Sequence, residues 1–456
     1  MTQQKTIAVI GAGIAGLCTA YWLEKKGFQV QVFEKGEQPG GVIRTEHAEG
    51  FLVDTGPNST LETSEVLRDL VDEIGLAGER VYASTASNKR YILKNGRLEA
   101  VPMSAGGFLR TRLFSWKAKL RLIREPFIAP TPGDDIALAD FVRHRLGQEF
   151  LDYAINPFVA GVYAGDPENL STAAGFPKLY ALEKKYGSLI RGAIRGARER
   201  KKRKEVAKDR AKMFSFRHGM QTMTDTLAAN LRTPVKTRSA VTSLRQPDGR
   251  FQLTVQQGEE SLHHTFDHVV LTAATHDMKP LLQEVAPAAV APLSEVYYPP
   301  VSVIFTGFRA AQVARPLDGF GFLIPEKEKR EILGTIWSST IFPGRAPEGM
   351  VAFTSFAGGT RQPQNALLPE AELVALAVKE LQATMGIQGD PVFSRVKTWE
   401  KAIPQYRMGY QRVQQLLDTL EQETPGLFFA GNFRRGISVG DSVLAAHETV
   451  QRIAGG

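Results

Sequence analysis

Along the first 34 residues the apolar positions change period twice. Ile7 to Ile10 is a short apolar, β-branched run and reads as a strand. Leu17 to Lys26 spaces its apolar residues as a helix, stopped by Gly27, and Val30 to Phe33 alternates into a second strand that ends at Glu34. Strand, glycine-rich turn, helix and strand together form a βαβ unit. A turn at Asp54 to Asn58 leads into a helical pattern from Ser64 to Ile74. From Phe108 to Ile128, Phe, Leu, Trp and Ile interleave with six basic residues and one acid, the pattern of one basic amphipathic helix closed by the turn at Ala129 to Asp135. Helical segments continue through Leu151 and from Gly175 to about Lys212. Strands return at Val235 to Val255, around hairpin turn chemistry at Arg245 to Arg250, then at Val269 to Thr272 and through Val301 to Phe356. A helix near Leu373 to Met385, an apolar strand at Leu427 to Ala430 and a helix at Val443 to Ile453 complete an α/β pattern with a helix-rich middle.

Composition narrows the class without changing that pattern. With 456 residues, 43% hydrophobic and 23% charged, the chain is long enough for two or more packed units and is neither disordered, collagenous nor disulfide-rich. Its net charge of +8 is carried by Arg191 to Lys212, where eleven basic residues face three acidic ones. The remainder balances to zero, which argues against a nucleic-acid binder. The single cysteine, Cys18, cannot form an internal disulfide and falls in the first helix as a packing residue. No Cys or His cluster has metal-ligand spacing, and alternation puts His263 and His264 on opposite faces of a strand, so no metal site is expected. The start lacks an export signal pattern and nowhere do 18 apolar residues run together, so a cytoplasmic protein that does not span a membrane is expected.

The chemistry begins at Gly11-Ala12-Gly13-Ile14-Ala15-Gly16. Gly11 permits the tight turn, Gly13 admits a pyrophosphate to the helix N-terminus, and Gly16 lets helix and strand approach. Glu34, at the tip of the second strand, stands where a carboxylate receives ribose hydroxyls. This is a dinucleotide site. FAD is favoured over a nicotinamide because a second glycine pair with an arginine, Gly40-Gly41-Val42-Ile43-Arg44, follows Lys35 closely and suits an extended dinucleotide. At the other end of the chain, Gly431 follows an apolar strand, and Ile437-Ser438-Val439 opens the last helix, whose N–H groups could face the N1/O2 edge of a flavin.

At this point the chain resembles the protoporphyrinogen oxidases of the amine-oxidase-like flavoproteins. The likeness runs nearly the full length, through VIGAGIAGL, GGVIRT, DTGPNS, SNKRYILKNGRL at 87 to 98, NPFVAGVYAGDPENLS at 156 to 171, FPKLYALEKKYGSLIRGAI at 176 to 194, LGTIWSSTIFPGRAP at 333 to 347 and AGNFRRGISVGDS at 430 to 442. Arg435 departs from it, because the family often has glycine there. The resemblance implies a Rossmann-type FAD-binding domain (1–88, 214–285 and 396–456), a mixed-sheet substrate domain (89–99 and 286–395) and a helical, membrane-associated domain (100–213). Around FAD it places Gly11 to Gly16, Glu34, Lys35, Val42, Gly56, Pro57, Asn58, Ser59, Val241, Trp399 and Ile437 to Val439, with Val241 touching adenine through its backbone. In the substrate cavity it places Arg90 on a propionate, which a guanidinium forks onto bidentately. Gly161 and Gly165 would be close-approach glycines, and Leu323 and Phe342 would form the apolar wall.

The implied reaction is a six-electron oxidation of a porphyrinogen at flavin N5, with dioxygen reduced to hydrogen peroxide; no side chain is assigned as catalytic. The implied partners are the porphyrinogen, dioxygen and a membrane surface met peripherally through Phe108 to Ile128, including Leu113, Phe114 and Trp116, and through Arg191 to Lys212. The same face could instead dock a downstream ferrochelatase. Two other readings stay open: the same chemistry on coproporphyrinogen, whose four carboxylates would call for more cations than Arg90, and a non-catalytic binding protein on this scaffold.

Overall fold

The computed structural model describes residues 5–203 and 211–455. The strands Leu427–Phe429, His268–Leu271, Thr6–Ile10 and Gln29–Phe33 form a parallel sheet in that spatial order. Because all four run the same way, Gly11, Glu34 and Gly431 emerge at one edge, where parallel α/β sheets bind ligands. The helices Ile14–Lys25 and Val439–Gly455 pack together on one face over Leu17, Leu23, Val443 and Val450. On the other face, Leu253, Val255, Leu281 and Leu417 form a second core beneath the antiparallel strands Ala240–Arg245, Phe251–Gln257 and Glu260–Phe266. On the last of these strands His263 is exposed, while His264 is half-buried against Phe33. Cys18 is fully buried, and burial pushes its thiol pKa up, which keeps it an inert thiol.

The second sheet has seven strands, ordered Phe393–Trp399, Val301–Arg309, Met350–Gly358, Ile332–Ile336, Gly319–Leu323, Lys89–Lys94 and Arg97–Ala100. It is antiparallel except where Gly319–Leu323 meets Lys89–Lys94. One face carries Tyr91, Leu93, Phe322 and Trp337 against the helix Glu370–Met385. The other face turns Ile92 toward a helical unit built on Leu113, Phe141, Phe150 and Leu189.

That unit corrects the expected amphipathic helix. Phe108 to Ile128 forms the end of one helix, Ala105–Arg110, the whole of a second, Trp116–Arg124, and a 3-10 turn at Glu125–Phe127. Ser115 interrupts them, capping Ala118 N while Glu149 accepts its N–H at 2.9 Å and its hydroxyl at 2.5 Å. The buried Lys119 ammonium donates to Leu109 O and Thr111 O at 2.9 and 2.8 Å, folding one helix against the other. Leu113 and Phe114 are therefore core residues, 1% and 6% exposed, with Phe114 stacked 4.2 Å from Phe150. Burial stabilises each by about 2 kcal/mol, more than one turn of continued helix would return, so the chain bends to take them inward. The helical segments expected from Gly175 to about Lys212 include Pro177–Tyr186 and Leu189–Arg203, separated where Gly187 adopts a left-handed turn at φ 67°. The basic stretch beyond Arg203, with Lys204, Lys208 and Arg210, lies outside the described residues. Among the described residues no helix is long and apolar enough to cross a membrane, and no cluster has metal-ligand chemistry.

A buried ionic cluster fixes the helical unit. Arg145, fully inaccessible, donates Nε to Glu125 Oε1 at 2.8 Å and Nη1 to the carbonyls of Ile128 and Ala129. Glu125 also accepts Ser188 Oγ and the N–H groups of Leu189 and Ile190, and Glu183 accepts the N–H and hydroxyl of Thr131. Burial raises the Glu125 pKa, but Ser188, Leu189 N and Arg145 outweigh it and hold the carboxyl below its ordinary value.

Candidate functional site

At the sheet edge the glycines do what their spacing requires. Gly11 has φ 106°, and a Cβ on Gly16 would lie 1.9 Å from Gly11 O, so only glycine lets the helix sit on the turn. Gly13 is the N-cap of Ile14–Lys25, with no side-chain cap and no acid in the first turn, which leaves N–H groups for an anion. Ala12, Ile14 and Ala15 supply that backbone. The second glycine pair comes to the same place: Gly40 N donates to Ala12 O at 2.8 Å, and a Cβ on Gly41 would meet Gly13 Cα at 3.1 Å. Arg44 closes this loop through Pro39 O and Gln38 O.

Glu34 spans the crevice, Oε2 accepting Ala12 N at 2.8 Å and Oε1 accepting Gly36 N at 2.7 Å. The strand holding Val241 joins it, since Ser239 N donates to Glu34 O. Lys35 points outward to Asp277, at 2.7 Å. Gly56 lies under Val42, where a Cβ would be 1.8 Å from Val42 O, and Trp399 Nε1 donates to Thr55 O at 2.8 Å. This pins the turn carrying Pro57, Asn58 and Ser59 to the edge of the second sheet. At the C-terminal end Ser438 Oγ accepts Asp441 N and caps the last helix, Val439 is buried in its core, and Ile437 packs on a tyrosine cluster. Arg435 pairs with Glu448 at 2.6 Å, so the departing residue ties to the last helix.

The tyrosines carried no motif of their own. Tyr406 and Tyr410 stack at 4.2 Å and donate to Asn432 O and Phe433 O, holding the loop after Gly431. Burial, and Asp441 secondarily, pushes the Tyr163 phenol up to about 12. The only sequence trace of the stacked pair is its four-residue spacing.

Of the substrate candidates, Arg90, Gly161 and Leu323 lie where the second sheet meets the helical unit. Arg90 alternates with Tyr91, so it shares the Ile92 face. It is exposed, lies 5.6 Å from the Phe320 ring centroid, and makes no ion pair among the described residues. Gly161, on the helix Asn156–Tyr163, sits directly on Leu323: a Cβ there would be 2.3 Å from Leu323 Cδ2. Gly165 is buried against Gln405. Phe342 instead lies buried beneath the Arg345 guanidinium, lining a small cavity with Asp54 and Asn58 near the cofactor turn.

The uncapped helix N-terminus beside Gly11 and Glu34 thus leaves backbone N–H groups for a dinucleotide at one edge of the first sheet. The model of the flavin-containing amine oxidoreductases matches residues 14–454. Protoporphyrinogen oxidase 2 of Arabidopsis thaliana is 34% identical, covering 97% of this chain and 92% of its own. Coproporphyrinogen III oxidase of Bacillus subtilis is 28% identical over 96% of both. A solved structure from Exiguobacterium sp. 255-15, assigned as a protoporphyrinogen oxidase, superposes with a TM-score of 0.83 at 23% identity, covering 100% and 99%. The chain belongs to the flavin-containing amine oxidoreductases, and its cofactor is FAD. Within that family it is an oxidoreductase of the porphyrinogen oxidase type.

Proposed function

We propose that this chain oxidises protoporphyrinogen IX to protoporphyrin IX, removing six electrons and six protons and passing the electrons to dioxygen as hydrogen peroxide. The observation that carries this reading is Arg90, without an ion pair among the described residues, at the edge of an apolar surface made by Phe320, Leu323 and the helix bearing Gly161. Arg90 forks onto a propionate and orients the ring, while Leu323 and the glycine face hold its apolar body and exclude water. Bound FAD supplies the two-electron acceptor, used three times per macrocycle. The residues that would hold FAD are Gly11 to Gly16, Glu34, Gly41 and the Gly56 to Ser59 turn. A second reading, coproporphyrinogen III oxidation, is supported by the likeness to the Bacillus subtilis relative. Comparing kcat/KM for the two porphyrinogens decides: a ratio favouring protoporphyrinogen upholds the proposal, and one favouring the tetracarboxylate replaces it.

The surface of the helical unit supports a peripheral membrane contact, with corrected residues. Trp116, Leu120 and Ile123 form one exposed stripe at i, i+4 and i+7, and Phe127, 82% exposed, continues it beneath Arg191. The exposed Lys117 and Arg124 supply cations for an anionic surface. Liposome flotation tests it. Loss of binding in a Trp116→Ala, Ile123→Ala, Phe127→Ala variant is expected, and unchanged binding contradicts it.

A further inference from the structure

The helix Asn156–Tyr163 follows a π-helical turn at Leu151–Ile155, a distortion that often accompanies functional sites. Its placement sets the distance between Gly161 and Leu323. Two adjacent residues at the end of the strand Met350–Gly358 reach both of its ends. Thr360 N donates to Ala164 O at 2.8 Å, where the helix stops in a left-handed residue at φ 50°. From the neighbouring position Arg361 sends Nη1 to Asn156 Oδ1 at 3.2 Å, at the start of the helix, and Nη2 to Ile324 O at 3.0 Å, one residue past Leu323. Asn156 completes the node: its Nδ2 donates to Glu326 Oε2 at 3.1 Å and its Oδ1 accepts Glu326 N at 2.9 Å. One guanidinium therefore joins the start of the glycine helix to the end of the strand that the helix packs against.

We infer that Arg361 is a positioning residue of the substrate site, fixing the height of the Gly161 helix over Leu323 through Asn156 and Ile324. The inference rests on the substrate reading given above. It fits the chemistry of the group: a rigid planar fork satisfies two acceptors on different elements at once, which an ammonium cannot do in the same geometry. Glu326 and Asp166 lie near enough to favour its charged form against the burial that lowers its pKa. Arg361 is given no contact with the substrate and acts through the helix.

The test uses the FAD-loaded enzyme and the variants Arg361→Met, Arg361→Lys and Asn156→Ala. In Arg361→Met and Asn156→Ala, KM for the porphyrinogen should rise about 10-fold while FAD content and the flavin spectrum stay those of the wild type, since small displacements of positioning groups are costly. Arg361→Lys should recover part of the loss. Amide exchange, which needs no substrate, should quicken at least several-fold over residues 156–164 in the first two variants. Unchanged exchange there overturns the proposal, as does an unchanged KM in a folded, flavin-loaded Arg361→Met. If Arg361→Met fails to fold, Asn156→Ala carries the same two readouts. A wild type that oxidises neither porphyrinogen overturns the substrate reading instead, and the exchange result then still judges whether Arg361 sets the helix.

Discussion

The two ends of the site are made of different materials. At the cofactor end the site is mostly backbone: Gly11, Gly16, Gly41 and Gly56 each occupy a place where another chain segment comes close, and one carboxylate, Glu34, spans the gap. At the proposed substrate end the groups lie on separate elements, the Arg90 and Leu323 side chains on two strands and the bare Gly161 backbone on a helix whose start Arg361 ties to Ile324, in a helical unit fixed around Arg145. A backbone site tolerates almost no change at its glycines and depends little on distant residues. A side-chain site accepts local change and fails when its supports are removed.

Removing a support should have the largest effect. Arg145→Met leaves Glu125 and Glu183 buried without their cation, and should cost about 3–5 kcal/mol of stability, read as a large fall in Tm. The FAD content of the fraction that stays folded should be normal; parallel loss of FAD would show that the two ends are not separable. At the other end, Gly16→Val drives side-chain atoms into Gly11 O, and overpacking of about 3 kcal/mol predicts roughly a 100-fold loss of FAD affinity, measured by flavin release on dilution. Next comes Arg90→Ala, expected to raise KM for the porphyrinogen about 10-fold with kcat little changed, because a charge-assisted hydrogen bond supplies about 1.5–3 kcal/mol. Arg90→Lys should recover only part. The smallest effect is in pH. The Glu125 carboxyl is held below its ordinary 4.5, so its contribution is complete above that value and is lost as pH falls through the lower folded-state value. Acid unfolding of Glu125→Gln should accordingly be less steep below pH 4.5 than that of the wild type, and an identical profile would refute the assignment.

The same contrast governs what could be read from residues alone. The turn at Gly11 to Gly16, the place of Glu34 and the strands around them were legible because they depend on local backbone conformation and on spacing within one βαβ unit. The strands at Val301 to Phe356 and the helix at Glu370–Met385 were legible for the same reason, from their period. Leu113 and Phe114 were not, because their destination depends on Phe150 and Glu149, residues of a later helix that periodicity within Phe108 to Ile128 cannot register. Tyr406, Tyr410, Asn156 and Arg361 escaped likewise. Their partners, Asn432, Phe433, Glu326 and Ile324, are distant in sequence and share no motif with them. Arg90 stands between the two cases: a motif singled it out, and the fold placed it beside Phe320.

The central claim, that bound FAD accepts electrons from a porphyrinogen held beside Arg90, is tested most directly by anaerobic mixing of the FAD-loaded enzyme with protoporphyrinogen IX. The flavin absorbance should bleach in a rapid, saturable phase with concurrent appearance of oxidised tetrapyrrole, and admission of dioxygen should restore it with release of hydrogen peroxide. Porphyrinogen binding that leaves the flavin oxidised would contradict the account and make the chain a binding protein on an oxidase scaffold.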